Sequence, residues 1–226
     1  MPAVENIVYI GSAGVLSEVP LRVLLQQGIN IGAIAILDST RQQLAQKPAT
    51  LADIRVGDDE SLSSSASLLE IAERHGIDVL ILDDRFSQAE SLLRAHQPDL
   101  ILMSCFPRKL PAAIFQMPEL GCFNLHPSLL PQYRGPSPVH WQCVHKVEQS
   151  GVSVHQVNEE FDQGDIAIQK QISTRHCVNK LELAYKLALL GGEALVELVN
   201  AVSNDSLTLT PQLESAASYY GFPAAS

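Results

Sequence analysis

Apolar runs that end at glycine or polar residues recur along the first half of the chain, and segments with helical spacing lie between them. A nearly continuous apolar run is typical of a strand buried on both faces of a parallel sheet. The predicted strands are Asn6–Gly11, Ile31–Leu37, Ile77–Leu82, Pro98–Cys105 and Leu120–Leu125, and the predicted helices are Ser17–Gln27, Ala66–His75 and Gln88–His96, the last capped by Ser87. This alternation predicts an α/β domain of right-handed βαβ units.

The second half of the chain has a different pattern. Val152–Val157 alternates between apolar and polar positions, and Ile166–Ile172 is its predicted partner in a hairpin-like pair around the acidic loop Asn158–Asp165. His155 falls inside the first of these strands, so we expect it to be an ordinary hydrogen-bonded residue of the sheet. Asp162 and Asp165 flank Gly164, which alone indicates nothing more than a turn.

The remaining segments are less regular. Asp38–Ser65 is polar and is predicted as an irregular surface excursion. Ser137–Val147 is predicted as a helix whose single tryptophan, Trp141, anchors the core. Lys180–Asn200 is predicted as a long amphipathic helix interrupted at its two adjacent glycines, 191 and 192, and the tail after residue 205 as a short strand followed by a surface meander.

Composition narrows the class of protein. The chain has 226 residues, of which 46% are hydrophobic and 18% charged, and its net charge is −10. This indicates a globular protein whose charge disfavours nucleic acid unless a local basic patch exists. Without a secretory signal or an apolar run long enough to span a membrane, we expect a cytoplasmic protein. The four cysteines lack close pairing and are predicted to be reduced thiols, and we expect no metal.

The candidate chemistry is concentrated in Gly121–Trp141. Asn124 and His126 are two residues apart on a predicted strand, so both side chains point to the same face where the strand ends. Pro127 and Pro131 then impose a rigid, non-helical turn. The pattern predicts a site, although both side chains could instead satisfy the backbone of the turn.

Two further turns are candidates for ligand contact. The turn Phe106–Pro111 follows another strand, and ligands of open α/β sheets bind beyond such ends, so we expect it to adjoin the site. Its Arg108 is either a ligand contact or a solvated charge. The glycine turn Gly11–Gly14 could hold an anion at a helix N-terminus or could simply allow close packing of helix on strand.

The sequence Asn124-x-His126-x-Ser128-Leu129-Leu130-Pro131, followed by Arg134-Gly135 and by Asp162 in FDQGD, resembles the folate-dependent formyltransferases. These include glycinamide ribonucleotide transformylases, methionyl-tRNA formyltransferases and sugar-amine formyltransferases. The resemblance covers most of the chain. It implies a Rossmann-like formyltransferase fold, with a mostly parallel central sheet, helices on both faces and an antiparallel extension. It also implies 10-formyltetrahydrofolate as the formyl donor.

The resemblance further implies a role for each matching residue. Asn124 and His126 would stabilise the oxyanion that forms when an amine attacks the formyl carbon, and His126 would also handle the proton. Asp162 would orient that imidazole and tune its pKa. The chemistry requires such groups, since an amide donor is worth about 3–4 kcal/mol to an oxyanion, and a histidine contributes typically 10²–10⁴-fold in rate. Residues implied to hold the folate are Arg108, Leu110, Ser128, Leu129, Leu130, Pro131, Asn158, Glu159, Glu160 and Phe161.

The identity of the acceptor stays open at this point. A small metabolite or amino sugar is favoured, and methionyl-tRNA is disfavoured by the acidic charge. A formyltetrahydrofolate hydrolase and a non-catalytic folate-binding module are the alternatives. We expect residues 1–205 to form the catalytic domain and residues 206–226 an extension packed on it. Whether the chain forms a homodimer, and whether residues 38–65 form a lid, are left open.

Overall fold

A seven-stranded sheet carries the other elements of this computed structural model, which describes residues 4–46, 67–175, 177 and 179–224. The strands are β1 (Ile7–Gly11), β2 (Ile31–Leu37), β3 (Asp78–Leu82), β4 (Leu100–Ser104), β5 (Cys122–His126), β6 (Gln149–Gln156) and β7 (Ile166–Ser173). Their order is β3-β2-β1-β4-β5-β6-β7. The first five pair in parallel, whereas β6 pairs antiparallel with both β5 and β7. The predicted fold class is therefore confirmed.

Helices cover both faces of this sheet. They are α1 (Val15–Gln26), α2 (Asp38–Gln46), α3 (Leu68–His75), α4 (Ala89–Ala95), α5 (Ala112–Phe115), α6 (Pro138–Val144) and α7 (Lys180–Ser203). Alternate residues of β1 belong to different cores: Ile7 and Tyr9 pack with α1, α3 and α7, whereas Val8 and Ile10 pack with α4 and α5. Every residue of β1 is buried, and this burial on both faces explains the near-continuous apolar run.

Local signals set the ends of two helices. α3 begins after Ser67, which forms a capping box with Glu70, and it ends at Gly76 in the left-handed conformation. The prediction that Ser87 caps α4 is wrong. The backbone N–H and hydroxyl of Ser87 both contact Asp83 Oδ1, at 3.1 and 3.4 Å, and the helix begins at Ala89 without a side-chain cap.

The predicted interruption at the two glycines is also wrong, because α7 is continuous across Gly191 and Gly192. Both positions allow close approach instead. A Cβ on Gly191 would lie 2.6 Å from Leu125 Cδ2, and one on Gly192 would lie 2.5 Å from Val23 Cβ. Tertiary packing therefore explains the glycines better than their low helix propensity does.

Residues 38–65 are only partly described. The first of them, Asp38–Gln46, form the helix α2, so the predicted irregular excursion is wrong for this part. Asp38 begins the helix, and its carboxylate pairs with Arg41 at 2.7 Å, one turn along. The rest of residues 38–65, for which the role of a lid was left open, lies outside the described residues. Among the described residues, no helix is long and apolar enough to span a membrane.

The tail crosses the molecule near the end of β5. Thr210 bridges to Ile166, and Tyr219 bridges to Arg134. Trp141 is half-buried rather than a core residue, because its ring stacks on Tyr220 at 5.4 Å and its indole N–H donates to the carbonyl of Gly221. The predicted core anchor is instead an anchor for the tail.

Candidate active site

Asn124 and His126 lie at the carboxyl end of β5, between β4 and β6. Asn124 is half-buried, and the side chain of His126 is only 6% exposed. The antiparallel register sets Asn124 opposite His155 of β6, and Asn124 Nδ2 lies 3.1 Å from His155 Nε2. Cross-strand neighbours of this kind are in contact distance by geometry alone.

Asp162 reaches the same place from the loop between β6 and β7. Its Oδ1 lies 3.4 Å from His126 Nδ1 and 3.6 Å from His155 Nε2, and its Oδ2 accepts from the Gly135 N–H at 2.9 Å. The backbone at Asp162 has φ +56°, in the left-handed region. The three side chains singled out from the sequence therefore meet, together with His155.

The hydrogen-bond partners of His126 fix its tautomer. Its Nε2 lies 2.8 Å from the carbonyl oxygen of Tyr133, which can only accept, so Nε2 carries a hydrogen. In the neutral ring Nδ1 is then unprotonated, and it is this atom that faces Asp162. A proton gained by His126 consequently arrives on Nδ1, beside the carboxylate that stabilises the resulting cation.

His155 is the site residue that the sequence analysis missed. Its Nδ1 donates to the carbonyl oxygen of Gln156 at 3.0 Å, so in the neutral ring Nε2 accepts, and the Asn124 amide must present its NH₂ group there. That contact uses one N–H of Asn124 and leaves the other for a ligand oxygen. His155 is indeed hydrogen-bonded within the sheet, but it also orients Asn124. No local signal marks this, because the contact depends on the register between β5 and β6.

Burial and charge act in opposite directions on the central pair. Burial lowers the pKa of His126, and the Asp162 carboxylate and the Tyr133 carbonyl oppose this effect. Burial alone would raise the pKa of Asp162, but the charge of His126, the contact with His155 and the Gly135 N–H outweigh it and hold that pKa well below its usual range. Asp162 is therefore an anion at neutral pH, and His126 is available as a base.

A cleft of about 420 Å³ opens beside these side chains. Its lining includes Asn124, His126 and Asp162 together with Phe106 and Phe161. Such a volume is within the range of small-molecule sites, which combine apolar walls with a few convergent polar groups. Phe106 and Pro107 from the turn after β4 and Pro127 from the proline turn after β5 line the same cleft, so the turn at Phe106–Pro111 adjoins the site as expected.

Several of the side chains implied to hold folate are engaged elsewhere. Phe161 lines the cleft, but Arg108 pairs with Asp84 at 3.2 Å and Leu110 is buried in the core between the sheet and α4 and α5. In the proline turn, Ser128 Oγ donates to Gln132 and the Leu130 N–H donates to Ser153. The other members of the set are Leu129 and Pro131 in that turn and the exposed residues Asn158, Glu159 and Glu160 in the acidic loop. Their contact with folate stays a prediction.

The glycine turn before α1 is already occupied by side chains of its own helix. The Gly14 N–H donates to Glu18 Oε1 at 3.2 Å, and the Ser12 N–H donates to Ser17 Oγ at 3.0 Å. Ser17 Oγ in turn donates to the carbonyl of Ser104 on the neighbouring strand. These contacts favour the packing interpretation over anion binding, since a carboxylate already lies where an anion would bind.

Thiol and metal chemistry gain no support from the described part of the chain. Burial raises the pKa of Cys105, which adjoins the cleft, to about 12, so its thiol is neutral at physiological pH. Among the described residues, no group of three or more His, Cys, Asp or Glu side chains has a geometry that could hold a metal ion.

Comparison with known proteins identifies the family. The profile of the family described as Formyl transferase matches residues 70–199, which is more than half of the chain and includes Asn124, His126 and Asp162. The chain belongs to the formyl transferase family.

The proteins that match this chain carry the names of different formyltransferases. The methionyl-tRNA formyltransferase of Ehrlichia ruminantium is 36% identical over 150 residues, which cover 66% of this chain and 49% of that protein. The chain thus matches about half the length of such curated relatives. Glycinamide ribonucleotide transformylase 1 from Symbiobacterium toebii has the same fold, with a TM-score of 0.69, 18% identity and coverage of 92% of this chain and 94% of that one. The N-formyltransferase from Helicobacter canadensis, in complex with folinic acid and dTDP-3-aminofucose, has a TM-score of 0.66 at 18% identity, covering 95% and 70%.

Proposed function

We propose that this chain transfers a formyl group from 10-formyltetrahydrofolate to the primary amine of a small acceptor. The observation that carries the proposal is the meeting of Asn124, His126 and Asp162 at one edge of the cleft, with His126 Nδ1 3.4 Å from the carboxylate. Membership of the formyl transferase family supports it independently. Residues 1–205 would supply this chemistry, with residues 206–226 packed against them.

The cleft is suited to the donor. A folate contributes a flat ring system and the formyl group itself, and the apolar side chains of Phe106 and Phe161 would contact the ring system while the polar edge faces the formyl group. The structurally similar protein in complex with folinic acid supports a folate in this fold. Backbone groups of the acidic loop and of the turn at Phe106–Pro111 would hold the remaining polar atoms.

Each polar side chain then has a distinct task. The second N–H of the Asn124 amide would donate to the formyl oxygen, whose negative charge grows as the amine attacks. Nδ1 of His126 would accept the proton that the amine loses and would return it to N10 of the folate as the bond between N10 and the formyl carbon breaks and tetrahydrofolate leaves. Asp162 would stabilise the imidazolium so formed, which lowers the barrier because the charge appears only during the reaction.

A small amine is favoured as the acceptor over methionyl-tRNA and over glycinamide ribonucleotide. The net charge of −10 opposes a tRNA phosphate backbone, although the curated relatives named above are methionyl-tRNA formyltransferases. In the glycine turn, Glu18 already accepts from the Gly14 N–H, so a ribonucleotide phosphate would meet a carboxylate there. Neither objection applies to an amino sugar or to a similar small amine.

The test is a panel of amines incubated with the folate donor, with the deformylated folate and the formylated product both quantified. We expect turnover with a small amine that exceeds turnover with methionyl-tRNA and with glycinamide ribonucleotide. The Asn124→Ala variant should lose about 10²–10³-fold in kcat, as the removal of an oxyanion donor does elsewhere. Undiminished turnover in that variant would remove the assignment.

The same panel separates the alternatives. Formate released from the donor at the full rate without any acceptor would identify a hydrolase, because water would then replace the amine. Tight binding of the folate without loss of its formyl group under any condition would identify a binding module. Preference for methionyl-tRNA would retain the chemistry and overturn the proposed acceptor.

A further inference from the structure

The carboxylate of Asp162 depends on a backbone conformation that needs support. A residue other than glycine with φ +56° lies in a sparsely populated region, which costs of order 1–3 kcal/mol and persists only where the surroundings impose it. The side chain of Asp162 is fixed by Gly135 and His126, but these contacts hold only its carboxylate. The main chain needs a second partner.

That partner is Gln212, which lies in the tail fifty residues further along the chain. Its Nε2 donates to the carbonyl oxygens of Asp162 and Gly164, at 2.9 and 2.7 Å. Its Oε1 accepts from Arg134 Nε and Nη2, at 3.2 and 2.8 Å. Gln212 is half-buried, whereas the residues on either side of it are exposed. All the hydrogen-bonding capacity of this one amide is therefore directed at the site.

Arg134 connects the same amide to the opposite side of the site. The side chain of Arg134 is 6% exposed and is held by Gln212 and by Glu214. The residue after it, Gly135, donates to the Asp162 carboxylate, and the residue before it, Tyr133, accepts from His126. Gln212 thus contacts the main chain of Asp162 directly. Through Arg134 it is also connected to Gly135 and Tyr133, which are the partners of the Asp162 and His126 side chains.

We propose that Gln212 is a positioning residue, which holds the turn at Asp162 and joins it to Arg134 so that the carboxylate stays beside His126 Nδ1. Only the part of this proposal that concerns kcat rests on the proposed function. Small displacements matter at such a site, because a misplacement of about 1 Å can cost on the order of 10²-fold in rate.

The sharpest variant is Gln212→Glu. A carboxylate keeps the length of the side chain and still accepts from Arg134, but it replaces the donated N–H groups with an oxygen that repels the two carbonyls of the turn. We expect kcat to fall by about 10–10²-fold, with KM for the folate little changed. We also expect the pKa of His126 to fall by at least about 0.5 unit in the uncharged variant Gln212→Met, since its negative partner moves away and no new charge is added. In Gln212→Glu the added carboxylate, paired with Arg134, opposes part of this fall.

The matched control is Glu214→Gln, which weakens the other partner of Arg134 without touching the turn at Asp162. This variant should keep the kcat and the His126 pKa of the unmodified protein. Thermal unfolding of all the variants reports on folding, and Gln212→Met, which has similar length without donors or acceptors, carries the comparison of His126 pKa values because it adds no charge.

The titration of His126 is followed by NMR of the full chain without donor or acceptor, so it remains informative if formyl transfer is not the reaction. Equal kcat and equal His126 pKa in folded Gln212→Met and in Glu214→Gln would overturn the proposal. A fall in kcat with an unchanged His126 pKa in Gln212→Met would overturn it too, because Gln212 would then act by another route. A fall in both, confined to the Gln212 variants, is the expected result.

Discussion

Asp162→Asn is the substitution that most directly tests the electrostatic role of the carboxylate. Asparagine has nearly the same shape, and its carbonyl oxygen can still accept from the Gly135 N–H. Its NH₂ group would then face His126 Nδ1, which lies 3.4 Å from the atom replaced. The variant therefore donates to the very nitrogen that should gain a proton, and it removes the negative charge that stabilises the imidazolium.

The expected magnitude follows from the distance and the burial. Two unit charges 3.4 Å apart attract by roughly 5 kcal/mol at an effective dielectric constant of about 20. The side chains of His126 and Asp162 are 6% and 11% exposed, so solvent screens this attraction little. Relaxation reduces it, and a close opposite charge usually shifts a pKa by about 1–3 units. We therefore expect the His126 pKa to fall by about 2 units, which corresponds to about 2.7 kcal/mol and to a loss of about 10²-fold in kcat.

Two pH-dependent measurements check this value. The ascending limb of the pH profile of kcat/KM, which reports the essential base, should move to lower pH in the variant, together with the NMR titration of His126. Stability should respond in acid. The lowered pKa of folded Asp162 stabilises the native state above the unfolded value of about 3.9, and this contribution is lost as the pH falls toward the folded value.

The part of the gap in unfolding free energy between the unmodified protein and Asp162→Asn that comes from the Asp162 charge should therefore close in acid, as the carboxylate gains a proton. An unchanged or raised His126 pKa in the variant, with the fold intact by thermal unfolding, would refute the electrostatic reasoning. Retention of full kcat would refute the role of the carboxylate in turnover as well.

Three further predictions concern single contacts. In Asn124→Ala, urea unfolding should show little change in stability beside the fall in kcat, because the side chain is only half-buried; a large loss of stability would mean that the amide is structural. His155→Phe should lower kcat roughly 10-fold with KM unchanged, since it removes the acceptor that orients Asn124; unchanged kcat would show that Asn124 needs no orientation. Gly192→Ala should lower the midpoint of thermal unfolding, because its Cβ would lie 2.5 Å from Val23 Cβ. Overpacking of this kind costs about 1–3 kcal/mol, which exceeds the gain of up to about 1 kcal/mol from the higher helix propensity of alanine. Adding Val23→Ala should recover part of that loss, because it removes the two Cγ atoms at 2.8 and 2.9 Å and leaves only the contact with Cβ. An unchanged or raised midpoint in Gly192→Ala would contradict the overpacking.

The sheet could be predicted because its physics is local. Strands buried on both faces need near-continuous apolar runs, and every residue of β1 and β4 is buried. The position of Asn124 and His126 on the same face followed from the two-residue repeat of side chains along a strand. This repeat does not depend on where the strand lies in the fold. These features need no knowledge of which elements become neighbours.

Two of the features that were missed depend on neighbours distant in sequence. The double glycine in α7 looks like an interruption until Leu125 and Val23 are known to pack against it. His155 looks like an ordinary strand residue until the register of β6 sets it opposite Asn124. In both cases the local preference is worth about 1 kcal/mol or less, and tertiary contacts override it.

The acidic loop shows how far a local interpretation could go. Its Asp-x-Gly sequence suggests that glycine takes the left-handed conformation, but Asp162 does so, with φ +56°. Gly164 has a different role: a Cβ there would collide with the carbonyl oxygen of Gln156, so the glycine lets β6 and the loop approach closely. The strained residue is therefore the one that carries the carboxylate, and the contacts that hold it, from Gly135 and from Gln212, come from segments on opposite sides of the loop in sequence. A turn that is unfavourable by itself must be maintained by such distant contacts, which is why the residue type could be predicted from FDQGD and its position could not.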